Sequence, residues 1–228
     1  MVNIIDYLQT SKECDKPLEQ IEKSNFLKDN YFGLREKEKK SLLNLLIISN
    51  FCYAFKKKPI VYEQITQYIA DRFTLHKTQI VLVGSAKTGF AIDPQNYGRE
   101  FSEKSDLDFA IINREVFDKC VDDYNLWKMK NSKDEYTDAD KKNYKFWNDN
   151  INELKHNIKR GFIDTYKIPN FLEFKTTQSI NNSLSLIVIN LRRIHDITVK
   201  EASVRVYKDW NTFETQLKIN IEHVLKKL

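Results

Sequence analysis

The chain has 228 residues, 41% hydrophobic and 12% aromatic, enough apolar side chain to bury a core and too much for a disordered chain. Its net charge of +5, from 37 basic and 32 acidic residues, is a mild excess that does not by itself point to an anionic partner. No apolar run approaches the ~20 residues needed to cross a bilayer, no basic cleavable leader opens the chain, and Cys14, Cys52 and Cys120 form no CxxC or Cys-His cluster; a cytoplasmic protein with reduced thiols, no membrane partner and no structural zinc is expected.

In chain order, residues 1–35 read as short helices and loops. From Glu36 to Phe55 a broad apolar face (Leu42, Leu45, Leu46, Ser49, Cys52, Phe55) predicts one largely buried helix. Pro59 ends it and opens a second helix with Val61, Ile65, Tyr68, Ile69 and Phe73 on one side. The runs REKEKK and FKKKP are read as solvated helix ends. The character then changes: QIVLVGS and SDLDFAII are short runs rich in β-branched residues and read as strands. Three of the five glycines, Gly84, Gly89 and Gly98, sit in or between them, so this region needs backbone that other residues avoid.

REVFDKCVDDYNLWK is predicted helical, and residues 138–160 place Tyr144, Trp147, Ile151, Leu154 and Ile158 on one helical stripe, read as a core stripe. GFIDTYKIPNF reads as punctuation, TTQSINNSLSLIVINLRRI as a helix and ASVRVYKDW as a third strand. From Asn211 a last helix carries Phe213, Leu217, Ile221, Val224 and Leu228 on one face. The fold class expected is α+β, a small sheet with a substantial helical surround. The organisation expected is one compact unit: a helical segment 1–75 packing on the core, a core 76–210 with a helical insertion at about 115–195, and a C-terminal helix 211–228.

Asp106 and Asp108 lie at i and i+2 of a strand and so point to one face. Two neighbouring carboxylates repel unless a proton or cation lies between them. Mg²⁺ binds through one or two carboxylates plus phosphate oxygens, so the pair suits a metal clamp on a nucleoside triphosphate. The Gly84-Ser85 turn would supply the other half: glycine lets the backbone approach a phosphate, and exposed N–H groups with the Ser85 hydroxyl hold its oxygens. Lys87 would add a point charge.

The stretch VLVGSAKTGF…SDLDFAII resembles the signature of the DNA polymerase β-like nucleotidyltransferase superfamily: hydrophobic-Gly-Ser, a further Gly, then Ser-Asp-x-Asp-hydrophobic. That superfamily includes the minimal nucleotidyltransferases of toxin–antitoxin pairs, antibiotic adenylyltransferases, CCA-adding enzymes and the makers of nucleotide signals in bacterial anti-phage defence. The resemblance implies that Gly84, Ser85 and Lys87 bind the triphosphate and that Asp106 and Asp108 hold Mg²⁺ or Mn²⁺. It also implies transfer of a nucleoside monophosphate from an NTP or dNTP to a hydroxyl, with release of pyrophosphate. The segment between Gly-Ser and Ser-Asp is longer than in the minimal enzymes, with DPQNYGREF as the extra loop, which is either a cover for the nucleotide or a surface extension.

The resemblance departs at the third acid that active members carry on a later strand. The valine-flanked position in ASVRVY is Arg205; Glu201 and Asp164 are the alternatives, and the sequence does not choose between them. Three functions follow from the resemblance. The first is template-independent synthesis of an oligonucleotide or nucleotide signal in anti-phage defence, with an operon-encoded effector protein as a partner. The second is adenylylation of a protein acceptor, as in the toxin-type branch. The third is a catalytically degenerate regulator that binds nucleotide without turnover.

Overall fold

A computed structural model describes residues 10–132 and 141–228, with side chains from residue 145 onward in the second stretch. Four strands form one mixed sheet in the order β1 (Ile80–Val83), β2 (Leu107–Ile112), β4 (Ala202–Tyr207), β3 (Phe162–Asp164). β1 runs antiparallel to β2, β2 parallel to β4, and β3 antiparallel to β4.

Strand alternation divides the molecule into two cores. Ile80, Leu82, Leu107, Phe109, Ile111, Val204 and Val206 face one cluster, which also holds Trp127, Leu154, Phe174 and Leu184. Four helices supply that side: α4 (Pro59–Phe73), α6 (Arg114–Ser132), α7 (Lys141–Lys159) and α8 (Lys175–His195). Val81, Ala110, Ile112, Phe162 and Tyr207 face the other way, against Leu27, Leu42, Phe213 and Ile221. These come from α2 (Ser24–Asn30), α3 (Glu36–Asn44) and α9 (Trp210–Leu225). Two short helices, α1 (Leu18–Ile21) and α5 (Gly84–Thr88), complete the α-helices among the described residues. Full burial of large apolar side chains such as Trp127 and Phe109 contributes about 1.5–3 kcal/mol each.

The α+β expectation is met, with three differences in detail. The segment read as punctuation contains β3, three residues long. Gly161, at φ +88°, turns the chain into it, and Asp164 therefore stands on a strand. The helix expected over Glu36–Phe55 ends at Asn44, widens into a π turn at Leu45–Ser49 and breaks where Asn50 turns extended (ψ 159°). The apolar spacing survives because Leu46, Ile47, Cys52 and Phe55 remain buried across the break. Leu228 lies beyond α9 and is exposed. In the stripe of α7, Leu154 is buried and Trp147, Ile151 and Ile158 pack on the first cluster; residues 138–140 and the Tyr144 side chain lie outside the described residues. The DPQNYGREF loop folds back on the N-terminal segment: Tyr97 Oη donates to the Ser24 carbonyl at 2.7 Å.

Candidate active site

β1 ends at Val83, whose register partner is Asp108 on β2. The next residue, Gly84, adopts φ +65° and begins α5, a left-handed conformation that costs other residues about 1–2 kcal/mol. Space is also tight here: a Cβ at this position would lie 3.1 Å from Asp108 Oδ2. The Gly-Ser turn and the carboxylate are thus adjacent.

Asp108 is flanked on its other side by Ser203 of β4, its register partner. Ser203 Oγ donates to Asp108 Oδ1 at 2.7 Å. Burial raises the Asp108 pKa; the Ser203 hydrogen bond and the Arg205 charge counter this in part, while Glu201 adds to it. Asp106 lies just before β2 with the same parity. Its Oδ1 is buried and accepts no hydrogen bond from a described residue, and Lys200 Nζ stands 3.7 Å away. Its pKa is also raised, chiefly by burial, with Lys200 opposing and Glu201 and Asp108 adding.

Beyond Ser203 on the same face comes Arg205, whose register partner is Asp164. Arg205 Nε donates to Asp164 Oδ1 at 2.6 Å, and its guanidinium lies 4.8 Å from the centre of the Phe162 ring. Asn157 Nδ2 donates to Asp164 Oδ2 at 3.4 Å, and Lys167 Nζ is 3.8 Å from the same oxygen. A cleft of about 310 Å³ joins Gly84, Asp108, Asp164, Ser203 and Arg205, with Phe213, Leu217 and Ile221 of α9 as its apolar wall. Tyr166 also lines it, its hydroxyl pushed up to about 12 by burial and the Asp164 charge.

The predicted residues are therefore distributed unevenly. Gly84 and Asp108 meet in the cleft, and Ser85 follows half-buried, its hydroxyl free of hydrogen bonds to described residues. Asp106 is on the same face but outside the cleft wall. Lys87 is turned away: it is buried, and its ammonium donates to the Asn50 carbonyl. Glu201 is exposed and paired with Lys200 at 3.1 Å, whereas Asp164 is in the cleft but held by Arg205. Ser203 was not singled out in the sequence, although its parity with Arg205 in ASVRVY places both on one face.

Among the described residues no group of three or more His, Cys, Asp or Glu converges to hold a metal ion. Two carboxylates, one with an oxygen lacking a donor, fit a divalent ion that arrives with phosphate oxygens, not one caged by protein alone. Comparison of the chain with protein-family models, curated proteins and solved structures finds no match.

Proposed function

We propose that the cleft binds a nucleoside triphosphate together with Mg²⁺ or Mn²⁺, and that the protein transfers a nucleoside monophosphate to a hydroxyl acceptor, releasing pyrophosphate. The observation that carries this is the adjacency of the Gly84 turn and the Asp108 carboxylate, since it brings a phosphate-approaching backbone and a metal-binding group close together. Asp106 and Asp108 would hold the ion, and Ser203 fixes the rotamer of Asp108. The Ser85 hydroxyl, next to Gly84 in the turn, would donate to a phosphate oxygen. A bound divalent ion supplies charge neutralisation on the phosphates and lowers the pKa of an acceptor hydroxyl. The small cleft suits a single nucleotide, and short oligonucleotides or a nucleotide signal made without a template, in a defence setting, are the products this reading favours.

A second reading, binding without turnover, is favoured by one observation: Arg205 is paired with Asp164 where a third carboxylate would otherwise complete the metal site. One experiment separates the two. Purified protein is incubated with Mg²⁺ or Mn²⁺ and each labelled NTP and dNTP; products are resolved by gel and by intact-protein mass, with equilibrium dialysis run in parallel. Oligomers, cyclic products or a nucleotide-sized mass gain establish transfer. Metal-dependent binding with no product establishes the second reading. Neither binding nor product, in protein shown to be folded, overturns both.

A further inference from the structure

A second cavity, of about 540 Å³, lies behind α5 and shares no lining residue with the Asp108 cleft. Lys87 lines it and is only 4% exposed. Its ammonium donates to the Asn50 carbonyl and stands 3.8 Å from Cys52 Sγ. Neither neighbour is anionic: the carbonyl is neutral, and burial pushes the Cys52 thiol up, with Lys87 opposing. Lys87 forms no ion pair with a described residue. Buried lysines are almost always paired, because an uncompensated buried charge is costly.

The rest of the wall has the same bias. Lys56 and Lys77 join Lys87, against Glu63 as the only acid among the described lining residues, and Glu63 is engaged by Lys77 at 2.6 Å. Part of the apolar wall is presented to solvent: Phe51 is 79% exposed, and Ile60 and Trp210 are also exposed, whereas Phe55, Ile80 and Val81 are buried. Exposed aromatic and aliphatic side chains in a wall that holds three lysines complement a ligand with an apolar body and an acidic head, and such an anion would favour the protonated form of Lys87, whose pKa burial lowers. The volume falls within the ~300–1,000 Å³ of small-molecule sites.

We infer that this cavity binds a small organic anion with an aromatic body, its carboxylate, sulfonate or phosphate group pairing with Lys87 and its ring packing on Phe51, Ile60 and Trp210. The inference stands apart from nucleotidyl transfer, because no residue of the Asp108 cleft takes part.

The test is a fluorescence titration of the full chain with anilinonaphthalene sulfonate, an aromatic anion. Saturable one-site binding is expected, weakened about tenfold or more in Lys87→Met and unchanged within about twofold in Asp108→Asn. Far-UV circular dichroism establishes that each variant is folded. A second measurement uses wild-type protein alone, so it survives a misfolded Lys87 variant: naphthalene sulfonate should displace the probe at least about tenfold more effectively than neutral naphthol. Equal binding to folded Lys87→Met, loss of binding in Asp108→Asn, or equal displacement by the neutral analogue would each overturn the inference.

Discussion

Burial holds the Asp108 carboxyl above the ordinary carboxylate range, and the Ser203 hydrogen bond and the Arg205 charge recover only part of the cost. For an acid with a raised folded pKa, the native state binds more protons than the unfolded state between the two pKa values. Stability therefore falls as pH rises from the usual carboxylate value through the folded one. Asp108→Asn removes the buried charge and can keep an acceptor for Ser203. At pH 7 it should stabilise the fold by about 1 kcal/mol while eliminating metal-dependent nucleotide binding. Urea titrations at pH 7 and at pH 3 check this: the gain should shrink at the lower pH, and destabilisation at pH 7 would contradict the cost assigned to this carboxylate. The neighbouring Gly84→Ala works in the opposite direction. A methyl group at φ +65°, 3.1 Å from Asp108 Oδ2, should cost about 1–2 kcal/mol. It should also weaken nucleotide binding, measured by equilibrium dialysis; full retention of both stability and binding would separate the turn from the site.

At the level of elements, β3 is bound to the sheet by three residue pairs with β4 and by the Arg205–Asp164 ion pair across them. Removing the guanidinium leaves a buried carboxylate without its main partner. Arg205→Met should therefore destabilise by about 3 kcal/mol at pH 7, the low end for a buried pair, because the Arg205 side chain keeps 33% of its surface exposed. Adding Asp164→Asn should restore most of the loss, and a double-mutant cycle by chemical denaturation measures the coupling. Additive losses would mean that β3 is held by backbone and apolar contacts instead. The same strand shows where sequence periodicity fails. β1, β2 and β4 are four to six residues long and rich in Val and Ile, so their alternation is legible. Phe162–Asp164 is too short to show a period, and only the β4 edge makes it a strand. The π turn at Leu45–Ser49 was hidden for the converse reason, since the apolar spacing continues through it. Within the site, the Gly84 turn and the Asp108 strand were each legible because strand ends and glycine turns are local properties, whereas their approach, which needs β1 to pair with β2, was implied by the resemblance. The direction of Lys87 was not, since it depends on a carbonyl contributed by Asn50, 37 residues away in sequence.

Across the whole molecule, each central strand belongs to both cores: Phe109 and Ile111 of β2 pack in one cluster, and Ala110 and Ile112 in the other. Loss of either helical layer would expose one apolar face of the same sheet to water. Residues 10–75 also straddle it, with α2 and α3 on one side and α4 on the other, so they cannot detach as a layer without opening both cores. The two clusters are therefore expected to unfold together, even though the chain exceeds the ~150 residues below which two-state behaviour is usual. Tryptophans report on the two sides separately. Trp127 is buried in the first cluster, and Trp210 packs edge-on against Phe213 of the second at 5.8 Å between ring centres. Single-tryptophan variants retaining only one of these should show coincident urea midpoints, matching that of far-UV circular dichroism. An earlier Trp210 transition with native Trp127 emission would mean that α9 and the N-terminal helices form a separable layer. Because α9 also forms the apolar wall of the Asp108 cleft, such a layer would open the cleft before the sheet unfolds. Coincident midpoints would instead tie the integrity of the cleft to that of the whole fold.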